Sequence, residues 1–162
     1  MLHALTKCDA WSWCAEIKTL NATMTRESLN GAGHNGQTMS HPWGTGALSG
    51  IVHGIVGVKQ TGVAWSTFTV KPLLASKLTF VNATVPTIRG PIVVAATPGA
   101  VAVTVPCNTQ ARLCVQSGAA AEATALLLDG VEVAAMNTEQ HLCTAAPVGC
   151  AASARVLSAV AR

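Results

Sequence analysis

Leu126-Leu127-Leu128-Asp129-Gly130-Val131-Glu132-Val133 reads as a β-hairpin turning at Asp129-Gly130. Asp-Gly supplies the positive φ angles that a tight two-residue turn needs, and aliphatic residues flank it on both sides. The same grammar repeats outward. Phe68 and Val70 alternate with Thr67, Thr69 and Lys71 up to Pro72; Leu78 and Phe80 open a segment that runs to Val85-Pro86. Ile92, Val94 and Ala96 stop at Thr97-Pro98-Gly99, Val101, Val103 and Val105 stop at Pro106, and Ala111, Leu113 and Val115 form a further strand. A last one spans Arg155 to Val160. Short period-two segments punctuated by proline and glycine predict an antiparallel β-sandwich of eight or so strands. Gly118 to Ala123, small and loose, reads as a surface loop.

Upstream the pattern changes. Apolar residues recur at helical spacing before about residue 60, so a boundary falls between Val58 and Thr67, giving an arm of residues 1–60 and a sandwich of residues 61–162. Trp11, Cys14 and Ile17 to Leu20 fit one short helix starting near Asp9 as N-cap. A Gly- and Asn-rich loop follows from Leu29 to Gln37. Pro42 then marks a helix start, since proline is tolerated at the first helical position. Beyond it Ala47, Leu48, Ile51, Val52, Ile55 and Val56 share one face. Gly46, Gly50 and Gly54 form a ridge of small residues for a neighbouring helix outside this chain.

Composition excludes several classes. Half of the 162 residues are apolar, 10% are charged and the net charge is +3. The basic residues are scattered singly with few aromatics beside them, which argues against a nucleic-acid partner. The longest uncharged stretches, Leu29 to Val58 and Gly90 to Ala111, are broken by glycine or proline before the ~20 apolar residues that span a bilayer, so no membrane partner is expected. No cofactor is expected, and His34, His41 and His53 match no metal-ligand spacing.

The six cysteines fall as three local pairs, Cys8/Cys14, Cys107/Cys114 and Cys143/Cys150, at spacings unlike a zinc site. Disulfides suit them, in any of 15 connectivities. Asn21-Ala22-Thr23 and Asn82-Ala83-Thr84 are N-glycosylation acceptors. Together these point to a secreted or lysosomal parent protein. The N-terminus lacks the apolar run of a signal peptide and reads as the inside of a longer protein.

The candidate chemistry lies in Ala22-Thr-Met-Thr-Arg-Glu27 and in Ser40-His-Pro-Trp-Gly44, which place a carboxylate near a His-Trp turn. With the Gly-rich loop between them and with Gly57-Val-Lys-Gln-Thr-Gly-Val-Ala-Trp-Ser-Thr-Phe-Thr-Val-Lys-Pro72, they resemble the C-terminal end of bacterial and fungal α-L-rhamnosidases. Leu78 to Val94, including Thr84-Val-Pro-Thr-Ile-Arg-Gly-Pro-Ile-Val-Val94, is similar to the start of the family's C-terminal sandwich. The resemblance covers roughly residues 17 to 105. It implies that residues 1–60 are the C-terminal remnant of a six-hairpin (α/α)6 catalytic toroid whose remainder is missing upstream.

It further implies an inverting glycoside hydrolase acting on a terminal rhamnose. By that resemblance Glu27 matches the general base, and His41, at the head of the next helix, matches a sugar contact. Trp43 is kept as a possible sugar platform beside a competing role as a core or interface aromatic. The sequence departs from the family in having Arg26 where a tryptophan usually precedes the glutamate, and a guanidinium close to Glu27 would lower its pKa. The two-carboxylate chemistry needs a second acid, which the family carries upstream, so the isolated chain is expected to be inactive. The competing reading is a non-catalytic β-sandwich that binds carbohydrate or stabilises a partner domain, with the first sixty residues as a docking arm.

Overall fold

The computed structural model describes residues 2–9, 12–28, 38, 40–74, 78–117, 123–138 and 140–160. Trp11, the loop 29–37 with His34, and the segment 118–122 lie outside the described residues. The chain forms two units, Met1–Ile51 and Val52–Arg162.

The first unit contains α1 (Leu2–Thr6), α2 (Trp13–Lys18), a 3-10 turn at Pro42–Thr45 and α3 (Gly46–Gly50). The cap of α2 is Ser12 rather than Asp9. Ser12 is extended, its hydroxyl accepts from the Ala15 amide at 3.2 Å and donates to the Asp9 carbonyl at 3.0 Å, so the short hydroxyl reaches the orphan amide that Asp9 is too far upstream to reach. The buried face of α2 is Cys14, Ala15 and Glu16, whereas Ile17, expected on the apolar face, is 65% exposed. Pro42 opens its helix as expected. The single helix expected beyond it instead changes winding from 3-10 to α and then to a π-helix at Ile51–Val56. Glycine at 46, 50 and 54 weakens regular α-helical winding.

Among the described residues the second unit carries eleven strands: β1 (Val58–Gln60), β2 (Thr67–Val70), β3 (Val81–Val85), β4 (Ile92–Thr97), β5 (Ala100–Val105), β6 (Gln110–Gln116), β7 (Ala123–Leu128), β8 (Val131–Val133), β9 (Ala135–Thr138), β10 (His141–Thr144) and β11 (Ala151–Val160). They form a five-stranded sheet, β1-β2-β6-β10-β9, and a six-stranded sheet, β3-β4-β5-β11-β7-β8. Strands β5 and β11 pack against β6, making a sandwich. Its interior is apolar: Val58, Phe68, Val70, Leu113 and Val115 come from one sheet and Ile92, Val94, Val103, Leu126 and Val156 from the other. Alternation explains this selection, since β5 buries Val101, Val103 and Val105 and leaves the intervening residues at intermediate exposure. The expected hairpin joins β7 and β8, with Asp129 at φ 51° and Gly130 at φ 85°.

Two features depart from expectation, and the cysteine pairing, open in the sequence, takes one definite form. Strand β2 runs parallel to β6, so the sandwich is not purely antiparallel. Strand β3 starts at Val81 and not at Leu78, and Phe80 is 65% exposed. Among the nearest-neighbour cysteine pairs, only Cys8–Cys14 is bonded; the others are Cys107–Cys150 and Cys114–Cys143. Register explains the last bridge, because Cys114 and Cys143 sit directly opposite each other on β6 and β10.

Arg89, in the Thr87-Ile-Arg-Gly90 turn, ties two loops of this unit together. Its Nε donates to the Ala64 carbonyl at 2.6 Å and Nη1 to the Asn108 carbonyl at 3.0 Å. Both acceptor residues adopt left-handed backbone, with φ of 52° and 61°, so the guanidinium fork secures two turns that are unfavourable for a side-chain-bearing residue.

Candidate functional site

The first unit brings Glu27, His41 and Trp43 together, and a residue that carries no mark in the sequence, Thr38, joins them. Backbone pairing sets the frame: the Glu27 amide donates to the Thr38 carbonyl at 3.1 Å and the His41 amide to the Thr25 carbonyl at 2.7 Å. The Thr25 hydroxyl in turn donates to the His41 carbonyl at 2.8 Å. At Gly44 the two segments approach so closely that a Cβ would meet the Thr25 Cβ at 2.7 Å and the Arg26 carbonyl at 2.8 Å. Only glycine fits there. The Trp13 indole donates to the Gly44 carbonyl at 2.8 Å, linking α2 to the same turn.

On this frame the contacts of Glu27 converge on one carboxylate oxygen. Oε2 accepts from the Thr38 amide at 2.8 Å and lies 3.5 Å from the Thr38 hydroxyl. The hydroxyl is 2.7 Å from His41 Nδ1, and Nδ1 is 3.8 Å from Oε2. Either the imidazole or the hydroxyl can donate in the short contact. With Nδ1–H as donor, the hydroxyl hydrogen turns towards Oε2, giving a short relay from imidazole to carboxylate. The side chains of His41 and Glu27 are 27% and 28% exposed, so both stay reachable from solvent.

Trp43 supplies the apolar wall. Its indole nitrogen donates to the Glu27 carbonyl at 2.7 Å, and its ring lies 4.2 Å from the His41 ring at 40°. The residue is 65% exposed. An aromatic face held by a backbone hydrogen bond thus lies beside a carboxylate and an imidazole, an apolar surface next to polar groups.

The Arg26 side chain pairs with Glu16. Its Nε lies 3.2 Å from Glu16 Oε2, and the two side chains are 12% and 6% exposed. The departure from the family pattern is thereby accounted for by charge: a carboxylate buried on α2 requires a cation, and residue 26 provides it. This pair sits in a cleft of about 400 Å³ lined by Trp13, Ile17, Ala22, Met24, Thr25 and Gly44 among others. Glu27, His41 and Trp43 are not among its described lining residues.

The other candidates lie apart. Asn21 is exposed in the first unit at φ 49°, and Asn82 is exposed on β3. His53 is exposed and its Nδ1 lies 2.8 Å from the Val58 carbonyl, a local hydrogen bond. Among the described residues no group of three or more His, Cys, Asp or Glu could hold a metal ion, and no helix is long and apolar enough to cross a membrane.

Comparison with known proteins adds the relation. Residues 57–125 match the bacterial alpha-L-rhamnosidase C-terminal domain. Three solved α-L-rhamnosidases resemble the chain in fold. That of Dictyoglumus thermophilum has a TM-score of 0.77 at 15% identity, covering 96% of this chain and 18% of the other. The Streptomyces avermitilis enzyme, solved in complex with L-rhamnose, has a TM-score of 0.71 at 16% identity over 94% of this chain and 15% of its own. The native Aspergillus terreus enzyme has a TM-score of 0.62 at 14% identity, with 97% and 17% covered. No curated protein matches the chain in sequence. The chain thus has the fold of part of these α-L-rhamnosidases, with residues 57–125 similar to the family's C-terminal domain, and spans less than a fifth of their length. In this chain the rhamnosidase C-terminal domain match begins after the Glu27 cluster and extends from β1 into β7.

Proposed function

We propose that this chain is the C-terminal end of an α-L-rhamnosidase-like inverting glycoside hydrolase that removes terminal rhamnose, with Glu27 as general base. The observation that carries the proposal is the Glu27–Thr38–His41 constellation walled by Trp43, directly upstream of a segment that matches the rhamnosidase C-terminal domain. In the proposed reaction, water attacks the anomeric carbon from the face opposite the leaving group while the Glu27 carboxylate takes its proton. Thr38 holds Oε2, leaving Oε1 for the water. His41 and Trp43 position the sugar through hydrogen bonding and stacking.

The second carboxyl group must protonate the leaving oxygen from about 6.5 to 9.5 Å away. The other described acids of this unit are committed: Asp9 pairs with Lys7 at 2.6 Å and Glu16 is buried against Arg26. We therefore assign the acid to a helical domain that precedes these residues in the full enzyme, and the 162 residues alone are inactive. The test is release of p-nitrophenol from p-nitrophenyl α-L-rhamnoside. A longer polypeptide that carries this chain behind its helical domain is expected to turn over, and Glu27→Gln in it lowers kcat by about 10²–10⁴-fold. Unchanged turnover would remove Glu27 from the mechanism.

A further inference from the structure

The segment Phe80-Val81-Asn82-Ala83-Thr84 alternates about the edge strand β3: Val81 is buried while Phe80, Asn82 and Thr84 are exposed. Register extends that outer face across the sheet. Asn82 faces Ala95, Ala95 faces Ala102, and Ala102 faces Arg155. The adjacent row runs through Thr97, Ala100 and Leu157. Small side chains in the middle rows leave a trough of about 290 Å³, walled by Phe80 and Asn82 on one side and by Arg155 and Leu157 on the other.

Two facts about this trough coincide. The asparagine on its rim is the acceptor of an Asn-Ala-Thr sequon, and the residue two positions earlier is an aromatic that is 65% exposed. On a strand, positions i and i+2 share one face, so the Phe80 side chain and anything attached to Asn82 leave the sheet side by side. All six cysteines are paired, which fits the oxidising compartment where such sequons are used.

We propose that Asn82 is N-glycosylated and that the first sugar of its glycan lies in this trough, its apolar face stacked on Phe80. The donor is the lipid-pyrophosphate-linked oligosaccharide of the secretory route. The Asn82 amide nitrogen loses a proton and bonds to the anomeric carbon, and the lipid pyrophosphate leaves. The occupant is fixed by the tether: a sugar on Asn82 reaches the trough without any association step, and Arg155 at the far wall offers donors to its hydroxyl and acetamide oxygens.

The test is to secrete the 162-residue chain from a eukaryotic host and release glycans with peptide N-glycosidase F in ¹⁸O-water, which converts each occupied asparagine to labelled aspartate. Label at residue 82 is expected, and Thr84→Ala abolishes it without touching Asn82; label at Asn21 counts separately. Deglycosylation is expected to lower Tm by a few degrees. Phe80→Ala keeps the glycan but removes that difference between the glycosylated and deglycosylated forms. A secreted, folded chain with Asn82 unmodified would overturn the site. An undiminished glycan-dependent Tm difference in Phe80→Ala would overturn the seat on the ring. Neither readout involves glycoside hydrolysis, so the result stands apart from the assignment of Glu27.

Discussion

The two units of this chain are built on different physics. In Val52–Arg162 the fully buried side chains are Phe68, Ile92, Leu113, Leu126 and a set of valines, joined by His141. Among the described residues of Met1–Ile51 the buried ones are small or polar, Ser12, Cys14, Ala15, Glu16 and Ala47, while Ile17, Met24, Trp43 and Leu48 are exposed. One unit has a core and no candidate catalytic group. The other holds the candidate site on a frame of backbone hydrogen bonds, one disulfide and a buried ion pair. A site needs reachable polar groups and a core needs their exclusion, so dividing the two tasks between units removes the conflict.

That contrast can be broken first by truncating apolar side chains. Phe68→Ala, in a residue 1% exposed, is expected to cost about 3–5 kcal/mol in denaturant unfolding followed by circular dichroism. Ile17→Ala, 65% exposed, should stay within about 0.5 kcal/mol. Equal losses would show that the first unit has an apolar core after all.

Disulfides give the next largest difference. Cys107–Cys150 closes 43 residues and Cys8–Cys14 only 6. Loop-closure entropy assigns about 4 kcal/mol to the first and about 2 kcal/mol to the second. Replacing each pair by alanines and comparing midpoints checks the ranking, and a larger loss from the Cys8–Cys14 pair would refute it.

The ion pair tests what holds the site-bearing unit. Arg26→Ala strands the Glu16 carboxylate, and a loss of about 3 kcal/mol is expected. Hydrogen exchange at the His41 amide, bonded to the Thr25 carbonyl, reads it locally. Adding Glu16→Leu should restore most of the protection, because an apolar replacement leaves no charge uncompensated.

The smallest effect is that of pH on the sandwich. His141 is 2% exposed with Nε2 at 2.7 Å from the Pro72 carbonyl. Burial pushes its pKa below the ordinary histidine value, helped by the Lys71 charge and opposed by the Pro72 hydrogen bond. On acidification the unfolded chain therefore takes up this proton first. The contribution is fully present above about pH 6.5 and is lost below it, at no more than about 1.4 kcal/mol per pH unit. The Tm of the chain should fall between pH 7 and pH 5, less steeply in His141→Gln; an identical slope would free His141 of the effect.

Much of this architecture was legible from the residues. The Asp129-Gly130 turn and the alternation in Phe68–Val70, Ile92–Thr97 and Ala100–Val105 mark strands because a pleated surface buries every second side chain. The strands that escaped notice lack that signal: β10 buries all four residues, His141 to Thr144, β9 exposes all four, Ala135 to Thr138, and β1 is only three residues long. Glu27, His41 and Trp43 stood out by family resemblance. Thr38 did not, since a threonine in a loop has nothing to single it out until the chain folds back on itself.

Local residue order by itself determined the strand alternation, the β7–β8 hairpin and the Pro42 helix start, because each depends on neighbours a few positions away. Tertiary structure alone decided the pairing of Cys114 with Cys143, the parallel contact of β2 with β6, the pairing of Arg26 with Glu16, and the place of Thr38 between carboxylate and imidazole. Each joins residues from separate segments, and which groups meet is set by strand register and chain return. Sequence spacing does not encode these quantities.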